Sequence, residues 1–178
     1  AFLSSTGVYN SLLPFIPEQA ANGSWWQWLS GHFMHSNIIH YFVNMIGLGL
    51  LWMLHGEYAS AKSFTLNFII IAIGVSVGIF YFSPHIKWYV GMSAVLHGLF
   101  AWGVVIDIYF KRKTGYLLLL GLVIKLCDEQ LFSSSTFMAD LIEVSVAIDA
   151  HLYGAVSGLL LGFAWVIHDT VKLRKQCL

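Results

Sequence analysis

Ser93 and His97 stand one helical turn apart in the otherwise apolar stretch 91–98. A hydroxyl beside an imidazole is minimal equipment for nucleophilic acyl chemistry, because the ring can take the hydroxyl proton while the oxygen attacks a carbonyl. Three further residues have types that could join them. His40 and Asn44 are four apart and therefore share a helix face. His151 lies three residues before Gly154. Taken singly, each reads as ordinary packing or interhelical hydrogen bonding; their weight depends on where the chain must place them.

The elements that place them are membrane helices. The 178 residues are 58% hydrophobic and only 10% charged, whereas about a quarter of residues are charged in soluble domains. Apolar runs fall at roughly 38–54, 64–82, 93–110, 116–132 and 144–167, each near the ~20 residues a helix needs to cross a bilayer. Backbone in lipid must satisfy its own hydrogen bonds, so the expected fold is an all-α polytopic membrane protein. The first residues lack an initiator Met and a basic region before an apolar core, which argues against an intact signal peptide. They are expected to be the truncated remainder of a further, first span ending near Phe15 and Ile16, before Pro17.

Lys62, the run Lys111, Arg112 and Lys113, and the run Lys172, Arg174 and Lys175 all fall on one side of this arrangement. The positive-inside rule makes that side cytoplasmic, together with the C-terminus. The beginnings of the spans near 38, 93 and 144 then share the outer face, and so do His40, Asn44, Ser93 and His151. Trp25, Trp26, Trp28, Trp88 and Tyr89 fit an aromatic belt at that face. Net charge is zero, with no basic tract interleaved with aromatics, so nucleic acid is not an expected partner. Cys127 and Cys177 lie at different depths and suggest no disulfide framework.

Small residues supply the means of bringing two helices together. Ala94, Gly98 and Ala101 form a stripe beside Ser93, and Gly154, Gly158 and Gly162 form a seam of the GxxxG type below His151. If stripe packs on seam, Ser93 meets His151, and the base comes within the ~3 Å that proton transfer requires. His151, rather than the neighbouring His97, is then the expected base. His40, Asn44 and the main-chain N–H of Ser93 could donate to an oxyanion in the same cavity.

The remaining polar residues are expected to support this group or to stabilise the bundle. His97, His35 and Asp149 are the candidates for supporting roles. Asp149 is about 200° around the helix from His151, so capping the helix start is its plainer role. His32 and His35 are three apart, but no nearby Cys or carboxylate completes a metal set, and neither metal nor cofactor is expected. Asp107 is expected to be solvated or interfacial at a span end. Lys125 and Glu129 could pair at four-residue spacing, lie in the interface, or line a substrate path. Residues 133–143 are expected to form a polar loop able to act as a lid.

The order His40-x-x-x-Asn44, Gly91-x-Ser93 and Ala150-His151-x-x-Gly154-x-x-x-Gly158 resembles the rhomboid intramembrane serine proteases. Trp25-Trp26, Gly31-His32-Phe33-x-His35, Ser93-x-x-Leu96-His97-Gly98 and Asp149 to Gly154 are similar to the rhombosortase branch. The resemblance implies a single rhomboid-like domain over 1–178 with six transmembrane helices, a Ser93 and His151 dyad, and an oxyanion hole containing His40 and Asn44. It also implies a bacterial inner-membrane enzyme with its active site near the periplasmic face. The implied substrates are secreted proteins bearing a C-terminal sorting tail, made of a Gly-rich motif, a membrane helix and a basic end. An amine on a phospholipid-derived group is the implied alternative to water as acceptor. Two departures stand out: Trp26-Gln27 replaces the Trp-Arg of many rhomboids, and His97 stands where a Tyr often stacks on the catalytic His. Other classes consistent with these residues are a haem or metal protein ligated by His40, His97 and His151, and a non-catalytic relative that binds membrane clients.

Overall fold

The computed structural model of the chain describes residues 12–132 and 136–176. The expected first span falls largely on residues 1–11, and Cys177 at the tail, so both lie outside the described residues. The fold is all-α. Two short helices in the connector, α1 (Pro17–Ala21) and α2 (Gln27–Ser30), precede α3 (Ile38–His55), α4 (Ala61–Phe82), α5 (Ser93–Tyr109) and α6 (Lys113–Phe132). The short α7 (Thr136–Ile142) and the long α8 (Ile148–Gln176) complete the chain.

Local chemistry sets these boundaries. The Asn37 side chain accepts from the His40 N–H at 2.8 Å and caps α3. Ser60 does the same for α4 through the Ser63 N–H, and α4 stops just before Pro84. Three stretches, Ile38–Tyr58, Ala61–Phe82 and Ile148–Leu173, are long and apolar enough to cross a membrane. Their outward faces carry Phe42, Ile46, Leu66, Ile70, Leu160 and Ile167, as lipid contact requires. The chain is a multi-pass membrane protein.

The fourth apolar helix, α5, is shorter and central. Ala94, Val95, Leu99, Trp102 and Ile106 on successive turns are all buried, which is why this helix is apolar on every side. It is surrounded by α3, α4, α6 and α8, with its most extensive interface on α8. There the stripe and the seam meet as expected. A Cβ on Gly154 would overlap the Ala94 carbonyl, and one on Gly158 would overlap the Gly98 carbonyl. Nothing larger than hydrogen fits at either position.

Three expectations change. Asp107 is neither solvated nor interfacial but 3% exposed, accepting a hydrogen bond from Tyr58 and lying 3.3 Å from His55 Nε2. The 3-10 turn Gly56–Tyr58 after α3 carries the Tyr58 side chain that reaches the carboxylate. The segment expected as a polar loop contains α7, tied to the start of α3 by Ser36 Oγ to the Ile142 carbonyl at 2.6 Å and Asn37 Nδ2 to the Leu141 carbonyl at 2.9 Å. The last helix runs to Gln176, beyond the expected end near residue 167.

Candidate active site

The turn before α5 fixes the position of Ser93. Phe15 and Tyr89 exchange two main-chain hydrogen bonds in an antiparallel bridge, and Gly91 N–H donates to the Gly31 carbonyl at 3.1 Å. The buried Tyr89 hydroxyl donates to the Gly91 carbonyl at 2.8 Å. Gly91 has φ +107°, a conformation open to glycine, and so turns the chain sharply into the helix. As the first residue of α5, Ser93 has a main-chain N–H with no intrahelical acceptor.

Across the seam, Ser93 Oγ lies 2.9 Å from His151 Nε2. The other ring nitrogen, Nδ1, lies 2.9 Å from both carboxylate oxygens of Glu129 on α6. An ionised carboxylate only accepts, so the Nδ1 proton points at Glu129 and Nε2 is left as the acceptor for the serine hydroxyl. That is the tautomer a general base needs. Glu129 is 1% exposed, and Lys125 Nζ, one turn earlier and half-exposed, lies 2.9 Å from it. Pairing is thus the one of the three sequence readings of Lys125 and Glu129 that the structure bears out, and the contact of Glu129 with His151 is one that none of them contains. The available signal was an ionisable pair inside an apolar helix.

His97 stacks on His151, with ring centroids 4.2 Å apart and planes 13° from parallel. Its Nδ1 donates to the Ser93 carbonyl at 2.8 Å, one turn back on α5. His40 stands on the other side of the turn. A Cβ on Gly91 would lie 2.7 Å from His40 Cε1 and Nε2, so the absence of a side chain there makes room for the ring. His40 Nδ1 faces Ser36, at 3.4 Å from its N–H and 3.1 Å from its Oγ. A main-chain N–H can only donate, which makes Nδ1 an acceptor and leaves the proton on Nε2, the nitrogen beside Gly91. Asn44 is buried and its amide donates to the His40 carbonyl at 3.0 Å.

A cavity of about 640 Å³ is lined by His40, Ser93, Trp88, Val144, Ile148 and Asp149, among others, and Asn44 is not in its wall. Asp149 accepts from Ser83 Oγ at 2.5 Å and lies 3.4 Å from His85 Nε2, so it ties the 83–85 turn to α8 rather than reaching His151. His35 meets the His40 and Tyr41 rings edge-on, at 5.0 and 5.4 Å. His32 is fully buried in the connector and donates through Nε2 to Ser76 Oγ at 3.0 Å, while Ser76 donates to the Trp28 carbonyl. Burial holds the His32 ring neutral, with its pKa down to about 4. Gln27 is also buried, bonded to Gln19 and the Ile16 N–H, and stitches the connector together.

Donor atoms of His97, Glu129 and His151 lie within 4.8 Å of one another. The stacked rings keep their nitrogen lone pairs in nearly parallel planes that do not converge on a point, and His151 Nδ1 and Nε2 are both engaged in hydrogen bonds. The arrangement suits proton movement better than metal coordination.

No curated protein matches the chain. A family model, described as the Rhomboid domain, matches residues 22–168.

Proposed function

The chain belongs to the rhomboid family of intramembrane proteases, and on that premise we propose that it is an active serine endopeptidase with Ser93 as nucleophile and His151 as general base. The observation carrying this reading is the 2.9 Å approach of Ser93 Oγ to His151 Nε2, with Nδ1 held on a carboxylate. As Ser93 Oγ attacks a backbone carbonyl, its proton moves to Nε2. The oxyanion is met by His40 Nε2–H and the Ser93 main-chain N–H, with Asn44 bracing His40 through its carbonyl. On collapse, His151 returns the proton to the leaving amine and an acyl-enzyme ester remains.

The substrate class we propose is the C-terminal membrane sorting tail of secreted bacterial proteins, a Gly-rich motif followed by a helix. The resemblance of the stretches around Trp25, His35, His97 and Asp149 to rhombosortases supports it. A second, apolar cavity of about 420 Å³ lies among α3, α5 and α6, with His97 and Lys125 in its wall, and suits a hydrophobic segment approaching from the bilayer. The basic residues around 111–113 and 172–175 support an inner-membrane orientation with the cleft facing the periplasm and a cytoplasmic C-terminus. The ester is resolved by water or by an amine on a phospholipid-derived group.

A fluorophosphonate probe tests the nucleophile: the wild type is expected to be labelled and Ser93→Ala not, and persistent labelling of the variant rejects the assignment. Mass spectrometry of a processed client's new C-terminus distinguishes a free carboxylate from an amine-linked group.

A further inference from the structure

We propose that Glu129 is a positioning residue for the reaction, holding His151 in its working tautomer and balancing the imidazolium charge that forms when the serine proton arrives. The inference rests on the reading of Ser93 and His151 as nucleophile and base, and extends the group from two helices to three.

The two ring nitrogens of His151 link Ser93 to Glu129: Nε2 faces Ser93 Oγ and Nδ1 faces the Glu129 carboxylate, with 2.9 Å at each end of the ring. Both Glu129 oxygens are equidistant from Nδ1, so the proton is held symmetrically and the ring cannot turn about χ2 without losing the bond. In the acylation step the Oγ–H bond breaks, the Oγ–C bond forms and the proton goes to Nε2. The Nδ1 proton stays on His151 and Glu129 stays ionised throughout. A full positive charge on a 6%-exposed imidazole would be costly without a nearby anion, and Glu129 is the anion within reach. Burying that anion is costly in turn, and Lys125 offsets this from the half-exposed side of the same helix at 2.9 Å. Asp149, the acid nearest in sequence, is engaged with Ser83 and His85 instead.

A structural role alone, pinning α6 to α8, would show in stability rather than in turnover. The test uses the full chain in detergent with a synthetic fluorogenic peptide made of a Gly-rich motif, an apolar segment and a basic end. In Glu129→Gln the amide N–H can donate to Nδ1, which drives the proton to Nε2 and disables the base. The expected result is a kcat lower by about a thousandfold, with KM and melting temperature unchanged. The second readout is ¹⁵N NMR of histidine-labelled wild-type protein, which needs no variant to fold. His151 is expected to show a protonated Nδ1 and a bare Nε2. A Glu129→Gln kcat within about threefold of wild type overturns the proposal. So does the opposite His151 tautomer in the wild type, or a kcat loss matched by a fall in melting temperature with His151 signals unchanged. Failure of the parent reading is distinct: it is labelling that survives Ser93→Ala, whatever Glu129→Gln does.

Discussion

The His97 imidazole is bound to both halves of the Ser93 and His151 pair, stacking on the His151 ring at 4.2 Å and donating to the Ser93 carbonyl at 2.8 Å. His97→Phe keeps a ring for stacking and loses only the hydrogen bond, so turnover is expected to fall a few-fold. His97→Ala loses both contacts, and a stacked pair is worth about 1 kcal/mol, so a loss of tenfold or more is expected. Steady-state kinetics of the two variants side by side check the order.

Gly154→Ala places a methyl group into the Ala94 carbonyl. The helices must part, and a few tenths of an ångström at the seam carries through to the 2.9 Å serine contact. Expected are a stability loss of about 1–3 kcal/mol and loss of probe labelling. Gly49→Ala, where a Cβ meets nothing within 4 Å, serves as the control: labelling should stay at the wild-type level and stability should not fall, since Ala is the better helix former.

Gly91→Ala combines a positive φ that side chains disfavour with a Cβ 2.7 Å from the His40 ring. His40 must move from its place beside the turn into Ser93. Losing one oxyanion donor typically costs about 10²–10³ in kcat, and His40→Ala should match Gly91→Ala within that range. Equal kcat in wild type and His40→Ala would remove His40 from the proposed oxyanion site.

Asp107 at the opposite end of α5 separates stability from chemistry. Replacing it by Leu leaves His55 and the Tyr58 hydroxyl without their acceptor, and breaking a buried pair costs about 3–5 kcal/mol. Melting temperature is expected to fall, while labelling per folded molecule at low temperature stays at the wild-type level.

His32 gives a pH dependence with a definite sign. Its folded pKa, lowered by burial to about 4, lies below the unfolded value of 6.5. Between these values the unfolded chain binds more protons, so stability is full above about 6.5 and is lost as pH falls toward 4. The loss from this one ring is about 3 kcal/mol. His32→Gln, which keeps a donor for Ser76 without titrating, should flatten the acid side of a plot of melting temperature against pH.

What the sequence discloses here follows from how local each signal is. The contact of Ser93 with His151 is legible because small residues four apart make a helix face whatever surrounds it, and two such faces seek each other. Glu129 is less legible because Lys-x-x-x-Glu is equally at home on a solvated face. Only the rotation of α6 against α8 decides that the acid points inward and the lysine outward, and α6 has apolar residues on all sides to obscure that choice. The burial of Asp107 is hard to read for a related reason: its partners His55 and Tyr58 lie about fifty positions away. Residues 136–142 are too few for a helical period to declare itself, and their helix is held by Ser36 and Asn37 rather than by its own pattern.

The α5–α8 seam also has a consequence in time. A ribosome delivers α5 to the membrane before α8, with α6 and α7 in between. Until the last helix arrives, the small-residue face of α5 is uncovered and Ser93 lacks its contact with His151. On the proposed reading of Ser93 and His151, the growing chain has its nucleophile but not its base until translation has passed His151, so a nascent copy would be unable to cut its neighbours or itself.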